Sequence, residues 1–275
     1  MHSPRVTVLG LFLAVVFTAV LGGAGSLSAQ RYLPIGGEGP SLQVQIVKPF
    51  PSDDGPFAGA SFSTSGWDAS VAYPLASGPT LFARMGLVYA SIEGVDGSLA
   101  ISSPRLGVLL GSDMGGRSAE VHVDLPTATD VGETYATGIA IFSAYDEKER
   151  FLEDTWSVGA SATAEMEPGP GAFVGARAGT SVLVPTEGST DVYALISLFG
   201  HAPTDETRFR IEFSSLALLS GSDVDFSDRT TFFASLDITW PSVRFAPTLF
   251  VRAPIDNTLD ATVPIVAGAR VLFGG

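Results

Sequence analysis

Arg208-Phe209-Arg210-Ile211-Glu212-Phe213 alternates charge with apolar bulk at every step. Val243-Phe245-Pro247-Leu249-Val251 does the same around Arg244, Ala246, Thr248, Phe250 and Arg252. Val263-Ile265-Ala267-Ala269-Val271-Phe273 runs opposite a set containing Arg270. Alternation with period two marks a β-strand, because successive side chains leave opposite faces of the pleat. The apolar set carries no charge in any of these stretches, and the arginines keep to the other face. An apolar face opposite one bearing arginines predicts an all-β, up-and-down antiparallel transmembrane barrel with lipid outside and a polar lumen.

Working outward, the same pattern predicts twelve strands at about 66–74, 80–90, 103–110, 118–125, 135–144, 155–165, 172–184, 190–200, 207–218, 230–240, 243–252 and 262–273. Turn chemistry separates several of them, as at Ala76-Ser77-Gly78-Pro79, Glu167-Pro168-Gly169-Pro170-Gly171 and Pro241-Ser242. The predicted lipid face includes Trp67, Val71, Tyr73, Leu81, Met85, Tyr89, Trp156, Val158, Phe232, Leu236 and Trp240. Aromatic residues are expected to gather at strand ends, as two interfacial girdles. The predicted lumen face holds Asp68, Arg84, Arg105, Glu120, His122, Asp124, Glu165, Arg177, Arg208, Arg210, Glu212, Asp237, Arg244, Arg252 and Arg270. Two strands break the pattern, since Phe142 and Tyr193 fall in the lumen phase. The connecting loops are short, so neither a large lid nor a folded-in constriction loop is expected.

The N-terminus carries His2 and Arg5, an apolar run from Val6 to Leu21, and small residues ending Leu27-Ser28-Ala29. That order predicts a secretory signal peptide over residues 1–29, too short in its apolar part for a spanning helix. Residues 30–56 are rich in Gly and Pro and include a plausible strand from Leu42 to Val47. They form a lead segment, a segment that enters the lumen, or an extra strand; the barrel domain itself is expected over 57–275. The chain has no cysteine, so disulfides do not stabilise it. Its net charge of −14 excludes nucleic acid as a partner, which demands a basic surface. A soluble secreted β-protein with a ligand cavity would also alternate, but its polar phase would carry many Lys and Asn. Here the lysines are Lys48 and Lys148, and the one asparagine is Asn257.

With the export segment, alternating strands, aromatic girdles and last strand together, the chain resembles bacterial outer-membrane β-barrel proteins. The resemblance is to the architecture and to no particular family. It implies a bacterial outer-membrane location, with outer-membrane lipid and the assembly machinery as partners. Such proteins commonly end in an aromatic residue; Phe273 is followed here by Gly274 and Gly275. An even strand count places both chain ends in the periplasm.

Chemistry is sparse. His122, flanked in phase by Glu120 and Asp124, belongs to a vocabulary of metal ligands and bases. No second histidine stands near it, so a structural lumen network is the expected role, with no catalytic residue, metal or cofactor. No nucleophile elbow or phosphate loop is present. Asp223, Asp225 and Asp228 lack calcium-loop order and are expected to be a solvated acidic loop. Arg208, Arg210, Arg244, Arg252 and Arg270 crowd the last strands and could form a basic stripe on one wall. The expected function is a porin-like pore or passive transporter for small solutes, anions among them. The alternative is a non-conducting structural or surface-interaction barrel, its arginines paired with carboxylates across the lumen.

Overall fold

The computed structural model describes residues 39–50, 62–76, 78–93, 96–111, 116–131, 135–169, 171–204, 206–220, 229–241, 245–255 and 263–274. Alternating stretches run as extended strands: β1 (Ser41–Phe50), β2 (Phe62–Pro74), β3 (Thr80–Ile92), β4 (Ser98–Ile101), β5 (Arg105–Gly111), β6 (Arg117–Asp124) and β7 (Thr129–Val131). A helix α1 (Tyr135–Ser143) and a 3₁₀ turn (Lys148–Phe151) follow. Then come β8 (Thr155–Gly169), β9 (Ala172–Pro185), β10 (Asp191–Pro203), β11 (Arg208–Leu218), β12 (Thr230–Thr239), β13 (Thr248–Pro254) and β14 (Ile265–Gly274). The strands pair antiparallel, and β1 closes the ring by pairing with β2 on one side and β14 on the other. β4 and β5 pair with successive parts of β3, and β7 and β6 continue them. Each of these two pairs is one wall strand interrupted, so the wall is a closed twelve-strand antiparallel barrel.

The faces divide as the alternation predicts. Ile211 and Phe213 are 50% and 56% exposed, whereas Glu212 between them is 2% exposed. That inversion of the usual burial rule suits a wall with hydrocarbon outside, where an exposed apolar ring costs nothing. Trp67, Val71, Tyr73, Leu81, Met85, Tyr89, Trp156, Phe232 and Leu236 all stand on the outer face.

Several boundaries differ from the sequence expectation, each for a physical reason. Residues 135–143 form α1 rather than the fifth strand. Tyr135-Ala136-Thr137-Gly138-Ile139-Ala140 alternates like a strand, but Ala136, Ile139 and Ala140 also share one helical face. A short apolar run leaves period two and period 3.6 undecided, and packing against Val88, Ala90 and Ala100 selects the helix. β6 and β8 pair directly at the place of the expected fifth strand, and β1 restores the count of twelve between β2 and β14: of the options for residues 30–56, Ser41–Phe50 is the extra strand, and the barrel begins there rather than at 57. The strand expected over 243–252 begins at Thr248, after a turn in which Ala246 holds a positive φ of 35°. Trp67 lies inside β2 rather than at its end, because β2 begins at Phe62. Residues 1–29, expected to be a signal peptide, residues 51–61, Arg244, and Asp223, Asp225 and Asp228, expected to form a solvated loop, lie outside the described residues.

Bulky inward rings are accommodated by glycine on the neighbouring strand. Phe82 lies opposite Gly107, Phe199 opposite Gly175, Phe250 opposite Gly268 and His122 opposite Gly159. At Gly268 an added Cβ would sit 2.3 Å from Phe250 Cζ and 2.4 Å from the Ile46 carbonyl oxygen. The rings therefore lie flat along the wall, covering backbone that glycine leaves bare.

Candidate functional site

The connection from β7 to β8 enters the barrel from the end opposite Ser41 and Gly274, and it folds into the lumen. This corrects the expectation that no loop folds inward. Helix α1 packs on the inner face of β3 and β4 through Ala136, Ile139 and Ala140, with Phe151 completing the cluster. The chain then crosses to the far wall. Tyr145 sits among Leu195, Leu216, Phe233 and Val266, with its ring 5.5 Å from that of Phe233. Its hydroxyl donates to the Val263 carbonyl at 2.7 Å. Lys148 Nζ lies 4.5 Å from the centre of the Tyr193 ring. Tyr193 faces inward because it meets this inner segment, which accounts for its place in the wrong phase.

Back on the near wall, the segment is held by ion pairs between side chains. Arg105 donates through Nε and Nη2 to the two oxygens of Asp124 at 2.7 and 2.8 Å, and through Nη2 to Glu149 at 2.7 Å. Its Nη1 reaches Glu147 at 3.2 Å. Arg84 bonds Asp68 at 2.5 Å and Glu147 at 2.6 Å. Arg150 bonds Asp68 at 2.8 Å, Glu147 at 3.3 Å and Ser102 Oγ at 3.2 Å. A guanidinium fork suits such bidentate pairing, and multiple donors satisfy carboxylates that burial would otherwise penalise. Burial alone would raise the Glu147 carboxyl, but Arg84, Arg105 and Arg150 outweigh it and hold the group well below the usual carboxylate range. Glu149 goes the other way: burial pushes it up, and Arg105 offsets only part of that. Burial likewise lowers Lys148.

The other predicted residues stand along the wall from β6 to β14, with Arg208 and Arg270 toward the end that bears Ser41 and Gly274. Arg210 pairs with Glu212 at 3.0 Å and lies 4.2 Å from the centre of the Phe199 ring. Arg270 pairs with Asp237 at 2.8 Å, reaching across β13. Arg252 and Arg270 both flank Phe250, at 4.7 and 5.9 Å. Arg208 opens β11 at the same end, where Glu165 bonds His201 and Phe173 stacks on the His201 ring at 4.7 Å. Arg177 donates to Ser161 at 3.3 Å, and Glu120 bonds His122 at 2.9 Å. The structure thus brings Arg84, Arg105 and Asp124 into one cluster, Glu120 and His122 beside it, and Arg210, Glu212, Asp237, Arg252 and Arg270 into a second group.

Sequence reasoning missed Tyr145, Glu147, Glu149 and Arg150. Their signal in the sequence is the charged run Asp146-Glu147-Lys148-Glu149-Arg150, and the inward phase of Tyr193 is the hint that something fills the lumen. Between the inner segment and the wall, a cavity of about 20 Å³ lies among Arg105, His122, Glu149, Ser161, Arg177 and Tyr193. That is room for about one water.

No protein-family model and no curated protein matches this sequence. Solved structures do match in shape. An outer membrane channel from Pseudomonas putida F1 superposes with a TM-score of 0.56 at 13% identity, covering 90% of this chain and 99% of that one. LpxR from Salmonella typhimurium superposes with a TM-score of 0.51 at 9% identity, covering 86% and 100%. No helix among the described residues is long and apolar enough to cross a membrane. The chain has the fold of the bacterial outer-membrane β-barrel proteins.

Proposed function

We propose that the protein is a gated outer-membrane channel for small solutes with a preference for anions, closed by the segment from α1 to the 3₁₀ turn. The observation that carries this reading is what fills the lumen. An eight-strand barrel is filled by its own side chains, and one of about sixteen strands holds an open channel. A twelve-strand wall encloses more space than its side chains occupy, and here a separate, inserted segment takes up the surplus. A filler that is not part of the wall can move without unfolding the wall. The solute preference follows from the strands β11 to β14, where Arg208, Arg210, Arg252 and Arg270 stand against Glu212 and Asp237. The excess charge is positive, in a wall also bearing Phe199 and Phe250. In this reading residues 1–29 are the export signal, the ends of β1 and β14 face the periplasm, and the inner segment folds in from outside.

The second reading, a non-conducting structural barrel, is favoured by the depth of the ion cluster that ties the segment down: Arg105 is 2% exposed and Arg150 is 1% exposed. Ion currents through the detergent-refolded protein in planar bilayers separate the two. Arg210→Ala with Arg252→Ala should reduce anion preference in a salt gradient; an unchanged reversal potential would sink the anion path.

A further inference from the structure

His122, Asp124 and Glu149 each offer a ligand atom, all within 4.8 Å of one another, and all three residues are buried. The first two lie on the wall strand β6 and the third on the inner segment. Two further observations point to a ligand there. His122 is 7% exposed, and its Nε2 has no hydrogen-bond partner; Ser157 Oγ, fully buried and directly opposite Asp124 in register, has none either. Buried polar atoms are rarely left unsatisfied, and a water or an ion is one way to satisfy them. The cavity of about 20 Å³ is bordered by two of the three, His122 and Glu149.

We propose that these three residues hold one divalent transition ion of the zinc or manganese class. The imidazole is already set for it. Glu120 accepts from Nδ1–H at 2.9 Å, which leaves Nε2 as the nitrogen available to a metal. A histidine oriented by a carboxylate on its other nitrogen is the usual support for a metal ligand. Gly159 opposite leaves the ring its space, since a Cβ there would lie 2.4 Å from Nε2. Arg105 also donates to Asp124 and Glu149. A carboxylate offers about four lone-pair sites, so both keep acceptor capacity. One imidazole nitrogen with two carboxylate oxygens suits zinc or manganese better than calcium, which prefers an all-oxygen shell. A water in the cavity completes a tetrahedral set. Bound there, the ion clips the inner segment to β6. That consequence rests on the gated reading; the site does not.

The test is metal binding to the untagged, detergent-folded chain, stripped with chelator and titrated with Zn²⁺ and, separately, Mn²⁺ by calorimetry, with metal content read by mass spectrometry. One ion per chain is expected. Affinity should fall at least about tenfold in Glu120→Gln, more in His122→Ala and Glu149→Gln, and stay unchanged in His201→Ala. Absence of stoichiometric binding, or the same affinity in His122→Ala and Glu149→Gln as in the parent, overturns the proposal. If His122→Ala does not fold, Glu149→Gln decides alone, since it alters the inner segment and leaves the wall intact. No current is measured, so the metal site and the gate can fail independently.

Discussion

Arg105 reaches two residues of the inner segment at once, Glu147 and Glu149, while Asp124 on β6 holds its guanidinium from the wall side. Removing one partner of a buried pair leaves an uncompensated charge, so Arg105→Ala should destabilise the folded barrel by about 3–5 kcal/mol, read by urea unfolding in detergent. Lysine should not rescue it, because a single ammonium cannot bond Asp124 through two donors and reach Glu149 as well. Loss of under about 1 kcal/mol would mean the cluster is wetter than its burial indicates. A different constraint acts at Gly268, where a Cβ would strike the Ile46 carbonyl oxygen across the seam that closes the ring. Gly268→Ala should therefore sharply lower the yield of folded, heat-modifiable barrel. Arg105 and Asp124 were legible as lumen residues from alternation alone. Their partners on the inner segment were not, because period two tells which face a side chain occupies and says nothing about what the lumen contains.

The inner segment shows where local pattern stops being decisive. Residues 135–144 satisfy both periods, and only contact with Val88, Ala90 and Ala100 on β3 and β4 makes them helical. Sequence cannot supply that contact, since it depends on the wall being closed first. The two places where the phase rule failed, Phe142 and Tyr193, nevertheless belong to this segment and to the strand facing it. β1 was legible as a strand over Leu42 to Val47, with Gln43 and Gln45 facing inward and Leu42 and Ile46 facing out; what local pattern left open was whether it joined the wall. The absence of cysteine allows the segment's position to be probed directly. Ser143→Cys, buried at the end of α1, should resist a charged thiol reagent in the parent and react in an Arg105→Ala background. Equal reactivity in both would mean that the ion cluster does not hold the segment in place.

The barrel as a body was the most legible part, because lipid outside and a polar interior impose one rule on every wall strand. Ile211, Glu212 and Phe213 state it in three residues. What the wall pattern does not convey is the state of the lumen: a twelve-strand ring is wide enough to conduct, and this one is occupied. The central claim is that the occupant is a gate. Planar-bilayer conductance of the parent, set beside a variant in which residues 135–151 are replaced by a short Gly-Ser linker, tests it most directly. A parent that is closed or opens only briefly, with a variant giving stable anion-preferring steps, is the predicted result. A variant that folds as a heat-modifiable barrel and passes no current would contradict it, and the wall itself would then be what seals the lumen.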